Sequence, residues 1–184
     1  MMRLHLAALT LGLSVLGLGH ATVATADASL PTLTVQSELD AFTTRLQSYV
    51  DFCDTYARAQ YKVDCLSERL TFAAKNLGNY GWQGQVKATL RATARSLYAV
   101  TTKYAAPGAA PVTIRNDATP IVSSRPVRPI APQNQTRANA VASAVIEEAE
   151  LTLLRSADTS SANALAFAQV AAVIGSAKVL LRSA

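Results

Sequence analysis

The residues with the most chemistry to offer are two cysteines, Cys53 and Cys65, in the stretch FCDTYARAQYKVDC. Such a pair can ligate a metal, exchange electrons as a dithiol, or cross-link the chain. A structural zinc site needs four nitrogen or sulfur ligands, and the only histidines are His5 and His20. A redox C-x-x-C motif needs two intervening residues, whereas eleven lie here. A structural disulfide is the reading that remains, with two buried free thiols as its alternative.

Both histidines fall in a segment that reads as a leader. Arg3 precedes an uncharged apolar run from Leu4 to about Leu18, and small residues close on Ala24-Thr25-Ala26. This is the order of a secretory signal peptide. Cleavage is expected after Ala26, or after Ala28, so residues 1–26 are assigned to the leader. The mature chain would then contain no histidine. That excludes Ser-His-Asp and Cys-His nucleophiles, histidine-ligated haem and the Glu-x-x-His di-iron bundle. No catalytic residue, metal ligand or cofactor is assigned. Export implies a periplasmic or secreted protein, in an oxidising compartment where cysteines pair.

The remaining candidates are cationic and aromatic. Lys87, Arg91 and Arg95 stand at i, i+4 and i+8 with no acid at that spacing. On a helix they form one ridge, suited to an anionic polymer or lipid headgroup. The competing reading is a solvated face, or one paired with Glu147 and Glu150. Arg115, Arg125 and Arg128 stand in a proline-rich stretch with only Asp117 against them. Such a strand suits a partner's groove, or packs on its own helices as a crossover. Tyr80 and Trp82 sit in the glycine-rich turn GNYGWQGQ. Exposed, they would stack on sugar rings; buried, Trp82 would anchor the turn. Glu38, Asp40, Asp51, Asp54, Glu68 and the Glu147-Glu148-Glu150 cluster include no pair singled out by spacing for glycoside hydrolysis.

Helices must position these groups. Leu39, Phe42, Leu46, Tyr49, Cys53 and Tyr56 recur at helical spacing from Gln36 onward. Ser37 is the expected cap, with Asp40 three residues on, and the chain should still be extended at Pro31. A second stripe runs through Leu66, Leu70, Ala73 and Leu77, with Asp64 as the natural N-cap and Gly78-Asn79 as the stop. One unbroken helix through both cysteines would hold them about 18 Å apart at 1.5 Å per residue. A disulfide needs Cα atoms within roughly 7 Å, so a bridge requires a break and a hairpin between them. The third helix spans about Trp82 to Tyr104, with Val86, Leu90, Ala94, Leu97 and Tyr104 inward.

Residues 105–136 then hold six of the seven prolines, which excludes helix through most of that stretch. VTIR and PIVSS can pair as a small hairpin around Asn116-Asp117, and RPVRPIAP should be extended. Val112, Ile114, Ile121, Val122, Val127 and Ile130 are more apolar than a tether needs, so the segment should dock, on these helices or on a partner. Two helices close the chain. The first, from Arg137 to about Arg155, would face inward through Val141, Val145, Ala149 and Leu153. It ends at SADTSS, where Asp158 or Ser160 would cap the next. The second runs from Leu165 to about Arg182, with a close-packing groove at Ala171-x-x-x-Gly175.

The expected fold is all-α: a four- or five-helix bundle in one domain, residues 27–184. Three helices occupy about 36–104, a proline-rich crossover fills 105–136, and a helical hairpin spans 137–182. The leading functional reading is a non-enzymatic exported protein that binds another macromolecule, a protein or an anionic envelope polymer. A small-ligand or lipid-binding bundle is the alternative, and a histidine-independent carboxylate enzyme the third. Nucleic acid is not expected as a partner, nor a transmembrane segment in the mature chain.

Overall fold

The computed structural model describes residues 30–118 and 120–183; the leader assigned to residues 1–26 lies outside them. Among the described residues the fold is all-α, with five α-helices and no strand: α1 Leu30–Tyr56, α2 Lys62–Lys75, α3 Gly81–Lys103, α4 Gln135–Thr159 and α5 Ala164–Arg182. Helix α4 packs most extensively on α5, and α2 on α3; α3 then meets α4, while α1 lies against α5 and α2.

Helix α1 starts earlier than its sequence suggests. It runs from Leu30 through Pro31, because proline's missing N–H is harmless in a first turn, where that donor has no intrahelical partner. Ser37 is therefore interior and caps nothing, while the Asp40 carboxylate accepts from Gln36 Nε2 at 2.8 Å. The predicted stripe holds at Leu39, Phe42, Leu46, Tyr49 and Cys53, all buried, but Tyr56 at the helix end is 41% exposed. A 3-10 turn, Ala59–Tyr61, leads into α2. Tyr61, not Asp64, occupies the N-cap position of α2. Every residue from Lys62 to Leu70 is buried, so α2 is the central helix of the molecule.

The predicted inward positions of α3 are all buried, and Trp82 at its start packs on Phe42 with ring centroids 5.6 Å apart. Helix α4 meets expectation at Ala149 and Leu153 but not in its first half. Its inward line is Ala138, Ala142, Ile146, Ala149 and Leu153, while Val141 is 39% exposed and Val145 half-buried. Small residues win the interface because they let α4 approach its neighbours closely. Asp158 lies inside α4, and Asn163 is the N-cap residue of α5. Ala171 is buried, and Gly175 leaves room for the Glu150 carboxylate, which Lys178 Nζ meets at 2.5 Å. Helix α5 is long and apolar enough to cross a membrane by length and composition alone. Here its line Phe167, Val170, Ile174, Leu181 is buried among the other helices.

Between α3 and α4 the chain leaves helix and folds back on itself. Pro107 and Gly108 make a turn in which Ala109 N–H donates to Ala106 O at 3.3 Å, with Gly108 at φ +75°. This is the geometry a Pro-Gly pair favours at the centre of a type II turn. Isolated antiparallel bridges pair Ala105 with Ile130, Val112 with Val127 and Arg115 with Val122. At the tip, Asn116 Oδ1 accepts from Ala118 N at 2.9 Å, an Asx turn. Ile114, Val127 and Ile130 are buried on the helices and Ile121 partly so, whereas Val112 is 37% exposed. The end of this stretch is fixed by Ile130 N–H donating to Gln60 O at 2.8 Å and Ala131 N–H to Tyr104 O at 2.9 Å. The extended part stops there, and α4 begins two residues before the predicted Arg137.

Candidate functional site

Cys53 and Cys65 form a disulfide, with a Cα separation of 5.7 Å and both residues fully buried. Cys53 lies in the last turn of α1 and Cys65 in the first turn of α2, so the bridge closes the helical hairpin at its turn. Lys62 and Asp54 reinforce the same junction with an ion pair at 2.8 Å.

Beside this staple, α2 presents three buried charges to residues 122–128. Asp64 is inaccessible, and its carboxylate takes both arms of the Arg125 guanidinium, at 2.8 and 2.7 Å. It also accepts from the Arg128 backbone N–H at 2.7 Å. Four residues on, hence on the same helix face, Glu68 accepts from the N–H of Ser124 at 2.9 Å and its hydroxyl at 2.5 Å. Glu68 also pairs with Arg69. The Arg69 guanidinium reaches Val122 O at 3.2 Å and lies 5.0–5.5 Å from the ring centroids of Tyr49, Phe52 and Phe72. A carboxylate on its edge and π-faces around it offset the desolvation of this guanidinium. The Asp64 hydrogen bonds raise the pKa of Arg125 above its ordinary value, against the opposing effect of burial.

This network decides where Arg125 and Arg128 stand. Both are brought to the ring of Tyr98 on α3, at 5.2 and 5.5 Å from its centroid. Tyr98 shares its helix face with Arg95 and Arg91, three and seven residues back. Two basic groups that looked separate in sequence thus form one surface around Tyr98. Among the described residues Arg91, Arg95 and Arg128 are exposed and meet no carboxylate; of the arginines around Tyr98, Arg125 is neutralised, by Asp64.

Three predicted contacts fall elsewhere. Lys87 does not project from the ridge: its ammonium donates to Leu77 O at 2.8 Å and Asn79 Oδ1 at 2.9 Å, closing the C-terminal end of α2. The Glu147 and Glu150 alternative does not hold for Glu150, which binds Lys178. Trp82 is a core residue, while Tyr80 beside it is 89% exposed, so the turn offers one aromatic and not two. Arg115 lines a different cleft, with Tyr56, Arg58 and Tyr61.

Sequence reasoning missed Asp64, Glu68, Arg69 and Tyr98 as positioning groups. The available signal was KVDCLSERL, residues 62–70, where acids stand at i and i+4 inside an apolar run. Among the described residues no three His, Cys, Asp or Glu side chains gather as a metal site. No protein-family model matches this chain, and neither a curated protein nor a solved structure does.

Proposed function

We propose that this is an exported, non-enzymatic helical protein that binds an anionic macromolecule of the cell envelope through the α3 face around Tyr98. In this reading the helices form a bundle, and residues 105–136 are its crossover and part of its binding surface. The leader-like start and the fully buried disulfide are both consistent with an oxidising compartment.

The observation that carries the reading is the packing of Arg125 and Arg128 on the Tyr98 ring, on the side of α3 that Arg95 and Arg91 share, with one carboxylate partner, Asp64, among the four arginines. Arginine's planar fork suits carboxylate and phosphate oxygens, and stacking on an aromatic ring leaves its N–H edge outward. Arg91 and Arg95 rise about 6 Å apart along the helix. A convex ridge with that repeat contacts an extended chain of anions at several points, whereas a single small anion would meet only one. Such contact is electrostatic and weakens as salt screens it.

Retention on immobilised heparin, used as a generic polyanion, tests this. Changing Arg91, Arg95 and Arg128 to Gln should make the protein elute at clearly lower salt. Changing Arg45, Arg137 and Arg182 to Gln removes the same charge elsewhere and should shift elution less. Equal shifts for the two triples would mean that net charge alone governs retention, and the site reading fails.

A further inference from the structure

A second place where arginine and tyrosine gather lies at the turn from α1 into α2. A cleft of about 270 Å³ opens between that turn and residues 112–115, lined by Tyr56, Arg58, Tyr61, Val112, Ile114 and Arg115. Arg58 and Arg115 are exposed, and neither forms an ion pair with a described residue. No carboxylate lines the cleft. Tyr56 is 41% exposed and Tyr61 half-buried.

The walls are fixed without any ligand. On one side the Cys53–Cys65 disulfide ties the two helices together, and Tyr61 N–H donates to Arg58 O at 2.8 Å to set the turn. On the other, Ile114 is buried and its N–H donates to Ser123 Oγ at 3.0 Å. Binding therefore orders little backbone, which is the condition under which few contacts give useful affinity. Two guanidinium groups facing one cleft repel each other, and an anion between them removes that repulsion while meeting their N–H edges. Two tyrosine rings at the same cleft offer apolar faces with polar tips.

The geometry points to a binding site for a small ring-bearing organic anion, a carboxylated or phosphorylated sugar. Its charged group is held by Arg58 and Arg115, and its ring lies against Tyr56 and Tyr61. The site is separate from the Tyr98 face and does not depend on polymer binding there.

Titration of the oxidised protein, followed by amide NMR shifts, tests the assignment. D-glucuronate and glucose 6-phosphate are the probes; glucose, acetate and inorganic phosphate are the controls. At least one charged sugar should saturate shifts at Tyr61, Thr113 and Arg115, at concentrations where all three controls leave those amides unmoved. Saturation by glucuronate alone assigns a carboxylated ligand, and by glucose 6-phosphate alone a phosphorylated one. Arg115→Gln and Arg58→Gln, both at exposed positions, should each weaken binding about tenfold, the cost of one charge-assisted hydrogen bond. Arg91→Gln should leave it unchanged. Charged sugars that bind no better than acetate or phosphate overturn the proposal, as does full affinity in both cleft variants.

Discussion

The Asp64–Arg125 pair should respond unequally to loss of its two members. Asp64 has no accessible surface, whereas the Arg125 side chain is 36% exposed. Arg125→Ala leaves a buried carboxylate with one remaining donor, the Arg128 N–H. Stranding a buried charge in this way costs about 3–5 kcal/mol. Asp64→Ala removes three hydrogen bonds, but the freed guanidinium turns to water and the Arg128 N–H lies at an exposed residue. That loss should stay near 2 kcal/mol, the scale of charge-assisted bonds discounted for solvent access. The double variant should cost less than the two singles summed, by about 1–3 kcal/mol, the range expected of directly contacting groups.

Urea unfolding followed by circular dichroism gives the four stabilities of this cycle. Limited proteinase K digestion gives an independent reading, since it cuts after aliphatic residues and the docked segment contains Ile114, Val122 and Val127. The native protein should resist cleavage at all three, and Asp64→Ala should be cut after Val122 and Val127 while its helicity persists. An Asp64→Ala variant less stable than Arg125→Ala would refute the argument from unequal burial. Rapid cutting of the native protein at all three sites would refute docking itself.

Further outcomes are expected. Thiol titration of the unreduced protein should find no free cysteine, and breaking the Cys53–Cys65 bond by serine replacement should cost roughly 3 kcal/mol in urea unfolding. Intact mass of exported protein should begin at Asp27 or Ser29; retention of Met1 would overturn the leader assignment. Gly84→Ala should destabilise by about 1–3 kcal/mol through overpacking, because its Cβ would lie 2.7 Å from the backbone oxygen of Asn79. Gly175→Ala should change stability by less than about 1 kcal/mol, since only the mobile end of Glu150 is in its way and alanine is the better helix former.

Much of the fold was legible because it rested on period, proline and bond geometry. Cys53 and Cys65 could not share one helix and one bond, so the break between α1 and α2 followed from bond geometry. Ile114, Val127 and Ile130 were too apolar for a tether, and they are buried on the helices. The failures share a cause, which is that a residue's type does not say what faces it. An acid near a helix start reads as a cap whether it meets its own backbone or, as Asp64 does, an arginine far along the chain. Glu68 and Arg69 are adjacent and oppositely charged, a pattern ordinary on surfaces, and their burial follows from the enclosure of α2 from Lys62 to Leu70. In α4 the expected Ala149 and Leu153 do face inward, but Val141 and Val145 give way to Ala138, Ala142 and Ile146. Close helix packing favours small volume over hydrophobicity per residue, and periodicity weighted by size misses that.

The buried charges of α2 are poor candidates for stability in themselves. Apolar replacements of similar volume often do as well as a buried ion pair. What they supply here is position. Asp64 takes Arg125 and the Arg128 N–H, Glu68 takes Ser124, and Arg69 takes Val122 O. The segment is thereby laid antiparallel along α2, one residue at a time, and its arginines come to rest over Tyr98. A test follows that separates position from charge. Asp64→Asn removes a negative charge, so if net charge controlled polyanion binding, the variant would be retained more strongly on heparin. The amide keeps the volume but turns an NH₂ group toward donors, which releases Arg125 and Arg128 from their places. Retention should therefore weaken at every ionic strength although the protein has become more positive. Stronger retention would mean that Asp64 only offsets charge, and that the face around Tyr98 is not assembled by the acid beneath it.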